Sequence, residues 1–161
     1  MPNSNLTAID HGEFGGTLTF NPFDTTKKPI LIKEGNIKFI FDYKNKIYFI
    51  DGLAHGGLSE GTLYQLDTAR ETFKFEKVLD FEDAPEAFTI YDEKFLIASH
   101  ENFYVVKDFQ KELIFKEAFW DSLYPNSIAV FDDANVFVGM RGGIVKIDLT
   151  RKTFKFYEKP D

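Results

Sequence analysis

LDTARETFKFEK at residues 66–77 and IDLTRKTFKFYEK at residues 147–159 are two versions of one pattern: an apolar strand closing on aspartate, a basic turn, and a second strand alternating phenylalanine with lysine. The matched phenylalanines, Phe73 and Phe154, lie 81 residues apart, which is twice a period of about forty. A third copy falls midway, as NFYVVKD at 102–108 followed by KELIFKE at 111–117. Asp67, Asp108 and Asp148 close the corresponding strands at spacings of 41 and 40. The chain is built on a repeating unit.

Working outward, each unit has two earlier strands. They are IKFIFD then KIYFID, AFTIYD then KFLIAS, and SIAVFD then NVFVGM. Apolar and polar residues alternate along short runs rich in Phe, Ile, Val and Tyr, and no stretch sustains the 3.6-residue period of a helix. The pattern is all-β. Asp42, Asp92 and Asp132 end the first strands, where an aspartate side chain can accept backbone amides two residues on and so fix a tight turn.

Four short antiparallel strands recurring every forty or so residues resemble the blades of a β-propeller, each a small sheet that must bury its faces against its neighbours. Complete units are expected at about 36–79, 85–118 and 125–159. An incomplete unit at about 5–34 precedes them: NLTAIDHGEFGGTLTFNP reads as a second and third strand and KKPILIK as a fourth, so the inner strand would belong where Met1 stands. The resemblance is to the repeat class as a whole, which includes lyases, sugar-binding proteins and scaffolds, and the Trp-Asp ending of one repeat type is absent. It implies one β-propeller-like domain over 1–161, as a small four-bladed ring or a partial propeller.

Composition narrows the chemistry. The 161 residues are 43% apolar and 17% aromatic, enough for a core without staples, and they contain no cysteine, which removes disulfides, thiolate ligands and thiol catalysis. A net charge of −7 opposes the cationic surface that a phosphate backbone requires, so nucleic acid is not an expected partner. No apolar run approaches a membrane span and no signal peptide opens the chain, so the expectation is a cytoplasmic protein with no membrane partner. Phosphate loops, HExxH helices and GxSxG elbows are absent from the sequence.

In a four-stranded blade, the turn between strands two and three lies at the same end as the link to the next blade. The former turns hold DHGEFGG, DGLAHGGLSEG, SHEN and MRGG, with all three histidines. The links carry Glu34, then Phe81, Glu82, Asp83 and Glu86, then Trp120, Asp121, Tyr124 and Asn126. The candidate ligand-binding residues are therefore His11, Glu13, His55, His100, Glu101, Trp120, Asp121 and Arg141. Imidazoles with a carboxylate can hold a divalent metal or act as an acid–base pair, which makes His11, His55 and His100 metal candidates. Against this, histidine, glycine and asparagine are ordinary turn residues, and an aromatic such as Trp120 often seals a blade junction. FDDAN at 131–135 lacks the alternating oxygen ligands of a calcium loop and reads as a turn.

Three functions compete. The first is a non-catalytic binding module engaging a protein or small polar ligand through the histidine-bearing loops. The second is a metal-assisted lyase or hydrolase acting on a polar or carbohydrate-like substrate. The third is a structural part of a propeller completed by homo-oligomerisation.

Overall fold

The computed structural model describes residues 4–68 and 73–159; residues 69–72, which the sequence reads as a basic turn, and Met1 lie outside the described residues. The first sheet contains β1 (Ser4–Asp10), β2 (Gly16–Pro22) and β3 (Ile30–Glu34). The second contains β4 (Ile37–Tyr43), β5 (Lys46–His55), β6 (Leu58–Asp67) and β7 (Lys74–Phe81). Then come β8 (Pro85–Tyr91), β9 (Lys94–Ser99), β10 (Phe103–Lys107) and β11 (Gln110–Phe115), followed by β12 (Ser127–Asp132), β13 (Asn135–Met140), β14 (Gly143–Asp148) and β15 (Thr153–Glu158). Every sheet is an antiparallel meander in chain order. Two compact units result, Met1–Glu82 and Asp83–Asp161, each holding two sheets.

The direction of the chain identifies the short sheet. In the complete sheets the fourth strand feeds the next first strand, and β3 feeds β4 through Gly35 and Asn36 alone. β3 is thus a fourth strand, β1 and β2 are a second and third, and the first is the one lacking. The fold is all-β and propeller-like, with three complete four-stranded blades and an N-terminal blade without its inner strand.

Burial follows strand position. β9 is buried along all but its first residue, because neighbouring strands flank it and both its faces are covered. No residue of the outer strands β11 and β15 is fully buried, and β15 is exposed at all but one position, which is why it can place Lys155 between Phe154 and Phe156. In the first unit Leu18, Ile37, Phe49 and Leu66 form a core against which Leu6, Ala8 and Ile40 pack. In the second, Leu96, Phe103, Trp120, Val136, Val145 and Ile147 do the same. Each such side chain contributes roughly 1.5–3 kcal/mol by leaving water.

The turns correct part of the sequence expectation. Asp132 behaves as expected, its Oδ1 accepting the Ala134 amide at 2.9 Å. Asp42, however, lies within β4 opposite Ile47, and the turn is made by Lys44 and Asn45 at φ 48° and 61°. Asp92 is itself a turn residue, at φ 47° beside Glu93 at 57°. Two consecutive residues at positive φ are the type I′ arrangement, whose twist matches that of the strands it joins.

Phe49 is fully buried and stacks on Tyr64 at 5.0 Å between ring centroids. Phe49→Ala should cost about 3–5 kcal/mol in urea unfolding. Phe131→Ala, at a mostly exposed residue, should cost under about 0.5 kcal/mol.

Candidate functional site

In the first unit, β1 and β2 are joined by a short 3-10 turn, Gly12–Phe14. Asp10 Oδ1 accepts the Gly12 amide at 2.8 Å, and the His11 amide donates to Gly15 O at 2.8 Å. Gly12 and Gly15 adopt φ 59° and 80°, conformations that an L side chain enters only at a cost, so the glycines of this loop serve the path of the backbone. That path turns Glu13 and Phe14 outward.

The partner of Glu13 comes from β5. The sequence assigns DGLAHGGLSEG to a long loop, but residues 51–55 and 58–61 remain paired, Leu53 with Glu60 and His55 with Leu58. Gly56 and Gly57, at φ 59° and 85°, close a two-residue hairpin, so His55 is the last residue of a projecting strand. There His55 Nε2 lies 2.7 Å from Glu13 Oε2, with the two side chains 58% and 44% exposed. Glu13 and His55 are brought together, and the exposed His11 sits at the start of the same 3-10 turn.

Beneath them, Lys38 Nζ pairs with Asp10 Oδ2 at 2.8 Å and Lys33 Nζ pairs with Asp51. Burial alone would raise the Asp10 carboxyl, but hydrogen bonds from Lys38 and from the Gly12 amide, with the charge of Lys38, outweigh it and hold the group below the usual carboxylate range. Asn36, buried between β3 and β4, has a side-chain Oδ1 without a hydrogen-bond partner.

The second unit arranges its loops around a buried acid. Asp83 Oδ2 accepts the amides of Glu101 (2.6 Å) and Asn102 (3.1 Å), and its Oδ1 accepts the Tyr104 hydroxyl at 2.9 Å. The His100 amide donates to Ala84 O at 2.8 Å, and Glu101 O accepts the Ala118 amide at 2.6 Å. His100 and Glu101 are thereby held at the surface by their backbones. Trp120 is fully buried, its Nε1 donating to Ser99 O at 3.1 Å, so its ring is part of the core and presents no stacking face. Asp121 is exposed and accepts the Ser122 amide at 2.7 Å. The Arg141 guanidinium lies 4.6 Å from the centre of the Tyr124 ring.

Two surface clefts, of about 210 and 240 Å³, are lined by β14–β15 residues including Lys146 and Tyr157, and by Leu6, Ile40, Phe41 and Ile47. None of the eight sequence candidates lines either. Among the described residues, no group of three or more His, Asp or Glu is placed to hold a metal ion. In the acidic turn at 131–135, Asp133 is paired with Lys94, whose Nζ lies 2.8 Å away. Among the described residues, no helix is long and apolar enough to cross a membrane.

Sequence reasoning did not single out Asp83, Phe14 or Tyr124. The acid before Ala-Pro and the aromatic before Pro125 sit just ahead of prolines, where the chain is held in a fixed path; Phe14 had one available signal, a large apolar residue inside a glycine-rich turn.

No protein-family model matches the chain, and no curated protein sequence matches it. Solved structures do. The crystal structure of the computationally designed Ika4 protein is 13% identical with a TM-score of 0.52, over 97% of this chain and 85% of that one. The N-terminal domain of Nup159 is 10% identical with a TM-score of 0.50, over 96% of this chain and 48% of that one. A chain in the S. cerevisiae complex of a Dbp5 variant bound to Nup159, a Gle1 variant, IP6 and ADP gives 9%, 0.51, 96% and 47%. The present chain spans about half the length of the last two. At these identities the likeness is one of fold, and that fold is a β-propeller.

Because the folded Asp10 carboxyl titrates below its unfolded value, the Asp10–Lys38 contribution is full above about pH 4 and disappears as pH falls through the lower folded value. Asp10→Asn should therefore cost about 1 kcal/mol near pH 7 and progressively less as the pH is lowered below about 4, followed by urea unfolding across that range. Asp83→Ala strands three donors and should cost about 3 kcal/mol by the same measurement, against about 1 kcal/mol for Tyr104→Phe.

Proposed function

We propose that the protein is a non-catalytic binding module whose ligand is another protein, engaged through the loops that carry His11, Glu13 and His55 in the first unit and His100, Glu101, Asp121 and Arg141 in the second. The observation that carries this reading is Phe14. Its ring is 84% exposed on a turn whose backbone is fixed by four hydrogen bonds, next in sequence to Glu13 and its contact with His55. A large aromatic displayed on an ordered turn, flanked by charged side chains, has the composition of a protein-contact anchor with a polar rim.

The Glu13–His55 contact is also what acid–base chemistry would use. Binding is the better reading because both side chains stand in solvent, where water screens the pair, and neither of the two surface clefts includes them. The Nup159 fold adds support by analogy, since Nup159 itself occurs in a complex with protein partners.

The test is quantitative affinity capture with the wild-type chain, Phe14→Ser, and Glu13→Gln combined with His55→Gln. All three side chains involved are exposed enough that folding should be unaffected, which thermal melts would verify. A partner recovered at least tenfold less with Phe14→Ser, and less with the double variant, is the expected result. Equal recovery of every partner by all three proteins overturns the proposal.

A further inference from the structure

Arg141 and Tyr124 form a second feature, confined to the second unit, with its own chemistry. Arg141 opens the two-residue turn between β13 and β14, with Gly142 at φ 80° behind it. Its amide donates to Leu123 O at 2.6 Å, which ties that turn to the 3-10 turn Asp121–Leu123. Its guanidinium lies over the Tyr124 ring, with the central carbon 4.6 Å from the ring centroid.

Of the two described arginines, Arg151 faces Asp148 at 3.8 Å, whereas Arg141 has the tyrosine ring and, among the described residues, no carboxylate and no side-chain hydrogen bond. The acid nearest to Tyr124 in sequence, Asp121, has an oxygen committed to the Ser122 amide. A guanidinium stacked on an aromatic face keeps its in-plane N–H edge free, and that edge matches a planar oxyanion through two parallel hydrogen bonds. Stacking also restricts the side chain beforehand, so less rotamer freedom is lost on binding.

Tyr124 sits at φ 52°, ψ 79°, a left-handed conformation unfavourable for a bulky side chain and cheap only for glycine or asparagine. Glycine would relieve the backbone but remove the platform. The strained residue is the one that places a half-exposed ring beneath the arginine.

We infer that Arg141 and Tyr124 form a recognition site for a peptide carboxylate, with Arg141 gripping the carboxylate of the partner and Tyr124 covering an apolar side chain next to it. A carboxylate fits better than a phosphate because one cation on a chain of net charge −7 balances a monoanion, whereas a dianion ordinarily gathers several cations. The inference rests on the reading that these loops contact a protein and specifies what one of them recognises. It does not depend on Phe14.

The experiment is an NMR titration of the isotope-labelled protein, following the Gly142 and Gly143 backbone amide resonances in every variant and the Arg141 Nε–H resonance wherever the arginine is present. The probes are a capped Gly-Phe-Glu-Gly peptide, its Gln counterpart, and inorganic phosphate. A saturable shift with the Glu peptide is expected, weakened at least tenfold with the Gln peptide and with Arg141→Lys, and unchanged in Phe14→Ser. Tyr124→Gly should weaken binding several-fold while leaving Tm unchanged or higher, because it removes the strain with the platform. No saturable shift, equal shifts from the Glu and Gln peptides, full affinity in Arg141→Lys, a lower Tm for Tyr124→Gly, or tighter binding of phosphate than of the Glu peptide would each overturn it. Loss of Phe14-dependent capture with this titration intact would remove the first-unit anchor alone.

Discussion

A twisted sheet of four strands has two faces and can cover neither by itself. That constraint decides where apolar residues are needed and where they are not. β9, inside its sheet and covered on both faces, is apolar between its end residues Lys94 and Ser99, while β11 and β15 mix lysine and glutamate with their apolar residues because only part of each strand is covered. The clusters around Leu18 and Phe49 in one unit and around Leu96 and Trp120 in the other are the covered faces. With the strands committed to packing, the connections are left free to vary, and the chemistry of the chain is concentrated there.

The two units use one loop position in opposite ways. The Gly52 amide donates to Asn36 O as the His100 amide donates to Ala84 O, which makes Gly35 the counterpart of Asp83. In the second unit the Asp83 carboxylate draws in two amides and the Tyr104 hydroxyl, so the loop after β9 stays short and close to the sheet. In the first unit the position is glycine, and the Asp51 carboxylate and Lys33 ammonium stand where a side chain would begin. No internal carboxylate gathers the amides beyond β5 there. The two strands instead continue their ladder outward and meet Glu13 at the tip.

The repeat was visible in sequence because strands with alternating burial leave a period, and the order of strands in each sheet follows from it. The loops were harder, for physical reasons that differ from residue to residue. His55 looked like a loop residue because glycines surround it, yet two glycines in succession are also the cheapest type I′ turn, and strand pairing carries through Leu53 and Ala54 to reach them. Trp120 next to Asp121 could be read as a ligand-stacking face or as a buried seal; the indole N–H finds Ser99 O inside the unit, and nothing local in the sequence records that bond. Asp83 was one acid among several in its segment. Its burial depends on donors 18 to 21 residues further on, a separation that no local pattern spans.

Every sheet is a meander of consecutive strands, so its ladders join segments that are neighbours along the chain, and several of the closures span only two residues. Closing such short loops costs little chain entropy and takes microseconds. Docking one sheet on the next joins residues much further apart, as with Phe103 and Val136 in a shared core. The expected folding order is thus hairpins first and sheet faces second, with local contacts favouring speed and the face-to-face step setting the barrier. During that interval the apolar faces that define the fold are open to water and to other chains, so the moment of greatest exposure to misassembly comes after the strands have paired.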